Sequence, residues 1–207
     1  KLTTIKKKRR PFSQEDQKFW TKYYINKKIL VMFDVEPISH YWVNQNRFSC
    51  NTITYAFKFG RRFKIYSPLE DKFKWSSNTK STDIQGLKQL PNIGKQLFIT
   101  SSLKDVMCLY AAGYSAIALQ SEMQNPEEKL IQDLHDRFEE ILIFYDNDYD
   151  NENNPGQTMA RKICDKFNLS NICIPDKYKS KDPSDLVVNV GSPNILKHII
   201  NEQTRCN

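Results

Sequence analysis

Two aspartates at the end of an apolar run are the residues whose type and spacing most clearly suggest chemistry. Residues 141–145, Ile-Leu-Ile-Phe-Tyr, lead directly into Asp146 and Asp148. The apolar run predicts a buried parallel strand, and open α/β sheets bind ligands at the carboxyl ends of their strands. Side chains alternate along an extended chain, so the two carboxylates should point the same way and favour a divalent cation. Mg²⁺ is the expected ion because it takes oxygen ligands together with phosphates, and an acidic loop that merely ends a strand is the alternative.

Four more carboxylates fall near the ends of predicted strands. One opens the helix after a strand at 96–100, one follows a strand at 115–119, and two lie in the Lys-Asp-Pro-Ser-Asp segment at 181–185. These residues are Asp105, Glu122, Asp182 and Asp185. If the strands are parallel, the carboxylates meet at one edge of the sheet. One or two cations held there would clamp phosphates and stabilise charge in phosphoryl transfer.

The elements that must position these residues alternate between strand and helix from residue 96 onward. Strands are predicted at 96–100, 115–119, 141–145 and 171–174. Helices are predicted at 103–112, 125–138, 155–167 and 193–201. Gly113 ends the first of these helices, and Asn125 followed by Pro126 begins the second. The pattern predicts an α/β domain in which a parallel sheet has helices on both faces.

The first half of the chain has a different pattern, which is typical of a small α+β subdomain. Ser13 and Asp16 form a variant of the capping box at the start of a predicted helix at 13–24, and a short helix follows at 26–33. Alternating residues predict antiparallel strands at 40–43, 52–59 and 62–66. Gly60-Arg61 predicts a hairpin turn, and residues 76–95 predict a loop.

Charge is divided unevenly between the two halves. Residues 1–100 carry 20 Lys or Arg and 7 Asp or Glu, whereas residues 101–207 carry 11 and 17. The basic half is typical of a segment that binds a polyanion. Its basic residues interleave with aromatic ones, which suits a nucleic-acid backbone and its unstacked bases; a half-buried sheet with outward lysines is the alternative. The candidate nucleic-acid-binding residues are Arg61, Arg62, Lys64, Lys72 and Lys74.

Composition argues against several classes of protein. The sequence has no apolar run long enough to span a membrane and no signal peptide, which predicts a cytoplasmic protein without a membrane partner. No C-x-x-C pair occurs, so we expect no zinc site and reduced thiols. The cysteines are Cys50, Cys108, Cys164, Cys173 and Cys206. Residues 6–10, Lys-Lys-Lys-Arg-Arg, predict a flexible basic arm that contacts phosphate, acts as a localisation address or is a solvated linker.

The order of these motifs resembles a Toprim domain, as found in the catalytic core of bacterial-type, DnaG-like DNA primases, and most closely their phage-encoded branch. The apolar strand ending in Asp-x-Asp, the following Gly156, and Lys181-Asp-Pro-Ser-Asp185 match the family's motifs, and Asp105 matches the aspartate of its first motif. That motif normally supplies a glutamate, which Ser101 replaces here, while Ser102 replaces its glycine. Glu122 is a candidate substitute, because it follows the neighbouring strand.

The resemblance implies a division into a basic arm at 1–11, a basic α+β subdomain at 12–94 and a Toprim-like domain at 95–207. It implies synthesis of short RNA primers on single-stranded DNA from nucleoside triphosphates, with Mg²⁺ or Mn²⁺, in the host cytoplasm if the protein is phage-encoded. A replicative helicase is a further implied partner. Asp146, Asp148, Asp182 and Asp185 would hold metal, Asp105 and Glu122 would join Asp146 and Asp148 in catalysis, and Lys104 and Lys181 would bind phosphate. A non-catalytic module that binds DNA or docks a helicase and, more weakly, a Toprim nuclease are the alternatives.

Overall fold

The structure is a computed structural model that describes residues 3–50, 53–70 and 72–204. Thr52, the first residue of the strand predicted at 52–59, and Cys206, whose thiol is predicted to be reduced, lie outside these ranges. The chain divides into two compact units, one formed by Lys1–Thr21 with Ile25–Asp83 and the other by Lys22–Tyr24 with Ile84–Asn207. Across the described ranges, no helix combines the length and apolar character that a membrane crossing requires.

The first unit is an antiparallel sheet with two helices. Its elements are β1 (Ile5–Arg9), α1 (Gln14–Thr21), α2 (Lys27–Met32), β2 (Val35–Val43), β3 (Asn46–Ser49), β4 (Tyr55–Phe59), β5 (Arg62–Tyr66) and β6 (Trp75–Ser77). The strand order is β1-β2-β4-β5-β6, and β3 pairs with β2. The predicted flexible arm therefore differs from the structure, because β1 pairs with β2 from Ile5 opposite Val43 to Arg9 opposite Ile38.

A buried carboxylate joins α1 to this sheet. Ser13 and Asp16 form the predicted capping box, in which the Ser13 amide donates to Asp16 Oδ2 at 2.7 Å and the Asp16 amide donates to Ser13 Oγ at 3.2 Å. Asp16 Oδ1 also accepts hydrogen bonds from Arg10 and from the Tyr55 hydroxyl, both at 2.8 Å. Trp20 is fully buried beside Tyr55, with 5.1 Å between ring centroids. The capping residues of α1 thus also anchor the helix to the aromatic core.

The second unit is a parallel sheet flanked by helices, as the sequence predicts. Its elements are β7 (Gly94–Thr100), α3 (Leu103–Ala111), β8 (Ser115–Ala118), α4 (Glu128–His135), β9 (Phe138–Phe144), α5 (Pro155–Phe167), β10 (Ser170–Asn171), α6 (Pro183–Val190) and α7 (Asn194–Thr204). The strand order is β10-β9-β7-β8, and all pairings are parallel. β7 and β9 contribute Leu97, Ile99, Ile141 and Ile143 to one buried core.

Besides the arm, the structure differs from the predicted elements at several places. β3 and β6 form where no strand is predicted, and α1 ends at Thr21 rather than at residue 24. The division between the units lies at Asp83/Ile84 rather than 94/95, because Ile84, Leu87 and Leu90 pack on the parallel-sheet core. The helix predicted at 125–138 covers only Glu128–His135, since Phe138 is buried as the first residue of β9. The strand predicted at 171–174 is reduced to Ser170–Asn171. In the Lys-Asp-Pro-Ser-Asp segment at 181–185, Asp182 is the N-cap residue of helix α6, and Pro183 is the first residue of that helix.

Candidate active site

Three parallel strands deliver their following residues to the same edge of the sheet. Thr100, the last residue of β7, lies opposite Ala118 of β8 on one side and opposite Phe144 of β9 on the other. The segments after these strands therefore leave side by side, as expected for a parallel sheet. They carry Ser101, Glu122 and residues 145–148, so the structure brings together candidates that are up to 47 residues apart, from 101 to 148.

Asp146 has the least satisfied carboxylate of this edge. Its Oδ1 atom is buried and has no hydrogen-bond partner within the described residues. Burial raises the pKa of Asp146 to about 8, and the negative charges of Asp182, Asp105 and Glu122 add to the effect. Gly156 permits the tight backbone here, because a Cβ atom on that residue would lie 2.3 Å from the Asp146 carbonyl oxygen.

Glu122 occupies a central position between two strand ends. Its Oε1 atom accepts a hydrogen bond from the Ser101 hydroxyl at 2.8 Å and one from the Asp146 backbone N–H at 3.1 Å. Burial raises the pKa of Glu122 despite these two donors. Ser101 stands at the position where the first motif of the resembled family has a glutamate. The Glu122 carboxylate lies directly beside this serine.

Asp148 has a more polar and more exposed environment than Asp146. Its backbone N–H donates to Asn154 Oδ1 at 3.0 Å, and the Gly156 N–H donates to its Oδ2 atom at 3.4 Å. Lys181 Nζ lies 3.5 Å from Asp148 Oδ1 and 2.9 Å from Asp150 Oδ1. The Lys181 ammonium, predicted to bind phosphate, therefore pairs with two carboxylates.

Asp105 and Asp182 share one buried hydroxyl. Ser184 Oγ lies 2.6 Å from Asp105 Oδ1 and 2.6 Å from Asp182 Oδ1, and Ser184 is fully buried. Burial and the charge of Asp182 raise the pKa of Asp105. Burial works against ionisation of Asp182 as well. The charge of Lys104 and the hydrogen bonds that Asp182 accepts outweigh burial, so the pKa of Asp182 is lowered. The pair thus divides into a carboxyl that resists ionisation and a carboxylate that favours it.

Lys104 is part of the same network rather than an exposed phosphate ligand. Its Nζ lies 3.3 Å from Asp182 Oδ2 and 3.8 Å from Asp185 Oδ1, and 5.1 Å from the ring centroid of Tyr23. Burial lowers the pKa of Lys104, but Asp182, Asp105 and Asp185 outweigh burial and raise it overall. The charge of Lys104 is balanced by aspartates, and its role in binding phosphate stays a prediction.

The donors at this edge fit a hard divalent cation. Within residues 3–50, 53–70 and 72–204, no three His, Cys, Asp or Glu side chains are arranged together as a ready metal-ligand set. Mg²⁺ commonly binds through one or two carboxylates and completes its shell with water and substrate phosphates. The unpartnered, buried Oδ1 of Asp146 supplies one such oxygen, and the surrounding carboxylates supply the negative potential that attracts a cation.

The candidate nucleic-acid-binding residues of the first unit have three different environments. Arg61, Lys72 and Lys74 are exposed. Arg62 instead forms a paired contact with Asp83, with Nε 2.6 Å from Oδ2. Lys64 is half-buried, with Nζ 4.8 Å from the Trp75 ring centroid, and burial lowers its pKa to about 8. Three of the five predicted cations are thus directly accessible to solvent.

Two residues that shape the site are not among those predicted from the sequence. Asn154 begins α5 in a left-handed conformation, with φ 33°, and its Oδ1 accepts from the Asp148 and Gln157 amides. Ser184 joins Asp105 to Asp182. Asn154 could have been found from the sequence, because Asn-Pro is a typical start of a helix. The contact of Ser184 with Asp105 depends on how α6 packs beside α3.

Comparisons with known proteins agree with this geometry at the level of fold. No model of a protein family matches the chain, and no curated protein matches it. Among solved structures, the Aquifex aeolicus primase with its zinc-binding and RNA polymerase domains has a TM-score of 0.66 at 16% identity, covering 92% of this chain and 56% of that one. A DnaG catalytic core has a TM-score of 0.67 at 15% identity, covering 93% and 74%.

A phage structure shows the same likeness. The primase fragment of the bacteriophage T7 primase-helicase protein has a TM-score of 0.58 at 17% identity, covering 88% of this chain and 71% of that fragment. The chain spans just over half of the Aquifex aeolicus structure, 56% of its length. These likenesses extend over both units of the chain, and the described chain has the fold of DnaG-type primase catalytic cores.

Proposed function

We propose that this chain is a primase-like catalytic core that synthesises short RNA primers on single-stranded DNA during phage DNA replication. The buried Asp146 carboxylate, with one oxygen lacking a partner among the described residues and with Glu122, Asp105 and Asp182 acting on it, carries the proposal. Such a group of carboxylates suits a reaction in which negative phosphates must be neutralised. The primase-core fold supports this choice of reaction.

The reaction would join the 3′-hydroxyl of the growing strand to the α-phosphate of a nucleoside triphosphate, with release of pyrophosphate. Asp146 and Asp148 would hold Mg²⁺ or Mn²⁺, and Asp182 and Asp185 would bind a second ion or orient the triphosphate. A bound metal ion would offset the charge that develops on the phosphate. Asp105 would support this cluster, because its contact through Ser184 fixes the position of Asp182.

Glu122 would act as the acid–base residue of the site. Its raised pKa brings its protonation closer to neutral pH, where an acid–base group is most effective. The Ser101 hydroxyl and the Asp146 amide fix one of its oxygens. The exposed cations Arg61, Lys72 and Lys74 would guide the DNA template, and Lys64 and Arg62 would support that surface. Lys104 and Lys181 would approach the triphosphate once their aspartate partners bind metal.

The partners would be single-stranded DNA, nucleoside triphosphates and a replicative helicase, in the cytoplasm of the host. One solved neighbour is a DnaG primase catalytic domain bound to single-stranded DNA, with a TM-score of 0.65 at 14% identity, covering 93% of this chain and 75% of that one. The T7 neighbour is a fragment of a primase-helicase protein. Both descriptions belong to those proteins and supply the partner classes that we propose here.

Incorporation of labelled ribonucleotides on single-stranded DNA tests the proposal. Wild type should produce short RNA with Mg²⁺ or Mn²⁺, and Asp146→Asn should abolish the product. Asp133→Asn is the matched control, because Asp133 is an exposed residue of α4 whose ion pair among the described residues is with Lys129, at 3.1 Å. Its primer synthesis should equal that of wild type.

Two other results would contradict the proposal. DNA binding without primer synthesis in the wild type would favour a non-catalytic docking module, which the serine at position 101 would suit. Cleavage of nucleic acid without added triphosphates would favour nuclease chemistry on the same carboxylates. DNA binding is followed separately by a mobility shift, and cleavage is followed with end-labelled DNA in samples without triphosphates.

A further inference from the structure

A cavity in the first unit lies among residues that the candidate active site does not use. It has a volume of about 380 Å³ and is lined on one side by Tyr41, Phe48 and Phe73. The Tyr41 and Phe48 rings are stacked, with centroids 4.9 Å apart and planes inclined by 10°. Their strands are paired in register at this point, Tyr41 opposite Phe48, so the aromatic wall is built on regular β structure.

The aromatic wall is open to an incoming ring. Tyr41 is buried, whereas Phe48 is 41% exposed and Phe73 is 71% exposed. Exposed aromatic rings beside a buried one offer π-faces that a planar ligand can cover, and such stacking is insensitive to which base is bound. A pocket of this volume is within the range typical of small-ligand sites.

Polar groups complete the cavity on its other sides. The buried hydroxyl residues Thr54 and Ser67 and the exposed carboxylate of Glu70 line it. Arg47 also lines it, is exposed and forms no ion pair with any residue in the described ranges. A guanidinium can bind a phosphate with two hydrogen bonds, and a carboxylate can accept a hydrogen bond from an exocyclic amino group of a base.

We infer that this cavity binds one unstacked nucleobase, with its adjoining phosphate on Arg47. The ring would stack on Phe48 and Phe73. Glu70 would favour a base with an exocyclic amino group, which adenine, cytosine and guanine have, over thymine, which has none. The choice of a base as ligand rests on the proposed function, in which a single strand reaches this unit. The base would come from a single strand or from a free nucleotide, since both present the same ring and phosphate.

Binding of labelled single-stranded DNA to the full chain tests the inference by fluorescence anisotropy. Phe73→Ala should weaken binding roughly 5-fold to 100-fold, the range for loss of one stacked base. Phe73→Ala is preferred because Phe73 is exposed, so its loss should not disturb folding. The control is Ile93→Ala in the other unit, at a residue that is 77% exposed, and it should bind like wild type. Unchanged affinity in both Phe73→Ala and Phe48→Ala would overturn the inference.

A DNA strand with a single abasic site moved along its length provides an independent readout. Wild type should lose affinity at one position of the abasic site, and Phe73→Ala should show no further loss there. Addition of dCMP as a competitor tests a free nucleotide as ligand. If dCMP releases labelled DNA from wild type and Phe73→Ala abolishes this competition, the result supports the pocket and shows that it accepts the base of a free nucleotide. An abasic strand that binds as tightly as the intact one at every position, without dCMP competition, would overturn it.

Failure of this inference can be distinguished from failure of the proposed function. Primer synthesis by wild type together with unchanged DNA affinity in Phe73→Ala and Phe48→Ala overturns the nucleobase pocket alone. Absence of primer synthesis together with weaker binding by Phe73→Ala overturns the catalytic proposal and supports the pocket. Glu70→Ala, which removes the acceptor, should in addition remove any preference for oligo-dC over oligo-dT, while Arg47→Ala should weaken binding to both equally.

Discussion

The Ser101 hydroxyl donates a hydrogen bond to Glu122 Oε1 at 2.8 Å, although the two residues follow different strands of the parallel sheet. The same oxygen accepts from the Asp146 N–H. We propose that Glu122, from the adjacent strand, takes the place of the carboxylate that the resemblance assigns to position 101. We expect the position of the carboxylate to matter for primer synthesis more than the residue that supplies it.

An exchange of these two residues tests that expectation. Glu122→Gln should lower primer synthesis by roughly 100-fold, the usual order for loss of an acid–base group. Ser101→Glu combined with Glu122→Ser should recover much of the activity, since it returns a carboxylate to the same edge. Binding of Mn²⁺, followed by electron paramagnetic resonance, should show the same loss and recovery. Equal inactivity of the single and the double variant would contradict the expectation.

Gly156→Ala should disturb the site without changing its charge. The new Cβ would lie 2.3 Å from the Asp146 carbonyl oxygen and 3.0 Å from Glu122 Oε1, so the backbone must move. We expect the free energy of unfolding to fall by about 1–3 kcal/mol, as for other overpacked sites, and primer synthesis to fall with it. Gly60→Ala is the comparison, because it strains a turn at φ 60° but meets no atom within 4 Å. That variant should lose some stability and keep its activity, as measured by urea unfolding and primer assays.

Lys104→Met should lower stability substantially. The substitution leaves Asp182 and Asp185 without the cation that lies 3.3 Å and 3.8 Å from them. Loss of one partner from a buried pair costs roughly 3–5 kcal/mol. Lys129→Met, which breaks an exposed pair with Asp133, should change stability by less than about 1 kcal/mol. Equal effects of the two substitutions in urea unfolding would contradict a structural role for Lys104.

Asp16 should make the stability of the chain depend on pH in the acid range. Burial works against ionisation of Asp16, but hydrogen bonds from Arg10, Ser13 and Tyr55 prevail and lower its pKa. Because the folded pKa lies below the unfolded one, the stabilisation is complete above the ordinary aspartate pKa of about 4 and is lost as pH falls through the lowered value. Asp16→Asn should remove this dependence and reduce stability at neutral pH. Thermal unfolding of both proteins between pH 2 and pH 7 checks it, and parallel curves would contradict it.

The sequence predicted most elements of the second unit because their signals are local. The apolar run before Asp146 indicates a strand, and Pro155 followed by Gly156 indicates the start of a helix. α5 spans Pro155–Phe167, which agrees with the prediction. The strand at 171–174 was predicted too long and the helix at 125–138 extended too far, because packing on the sheet, rather than local preference, sets those ends.

The sequence predicted which residues form the site better than it predicted the contacts between them. Spacing indicated that Asp146, Glu122 and Asp105 share one edge, but not that Ser184 joins Asp105 to Asp182 or that Lys104 pairs with aspartates. Those contacts depend on how α6 packs beside α3, and no local pattern encodes that arrangement. The basic arm illustrates the same limit, since β1 owes its strand conformation to pairing with β2.

The parallel arrangement of β7, β8 and β9 also determines when the site can exist during synthesis of the protein. Its carboxylates come from positions between Asp105 and Asp185, and α3, β8 and α4 lie in the sequence between the paired strands β7 and β9. Closing such long loops costs entropy before any contact repays it, which delays non-local pairing. A chain still emerging from the ribosome therefore lacks Asp182 and Ser184 until almost the whole second unit has been made. If the proposed function holds, a chain that has not yet reached Ser184 lacks part of the carboxylate network and would not begin a primer.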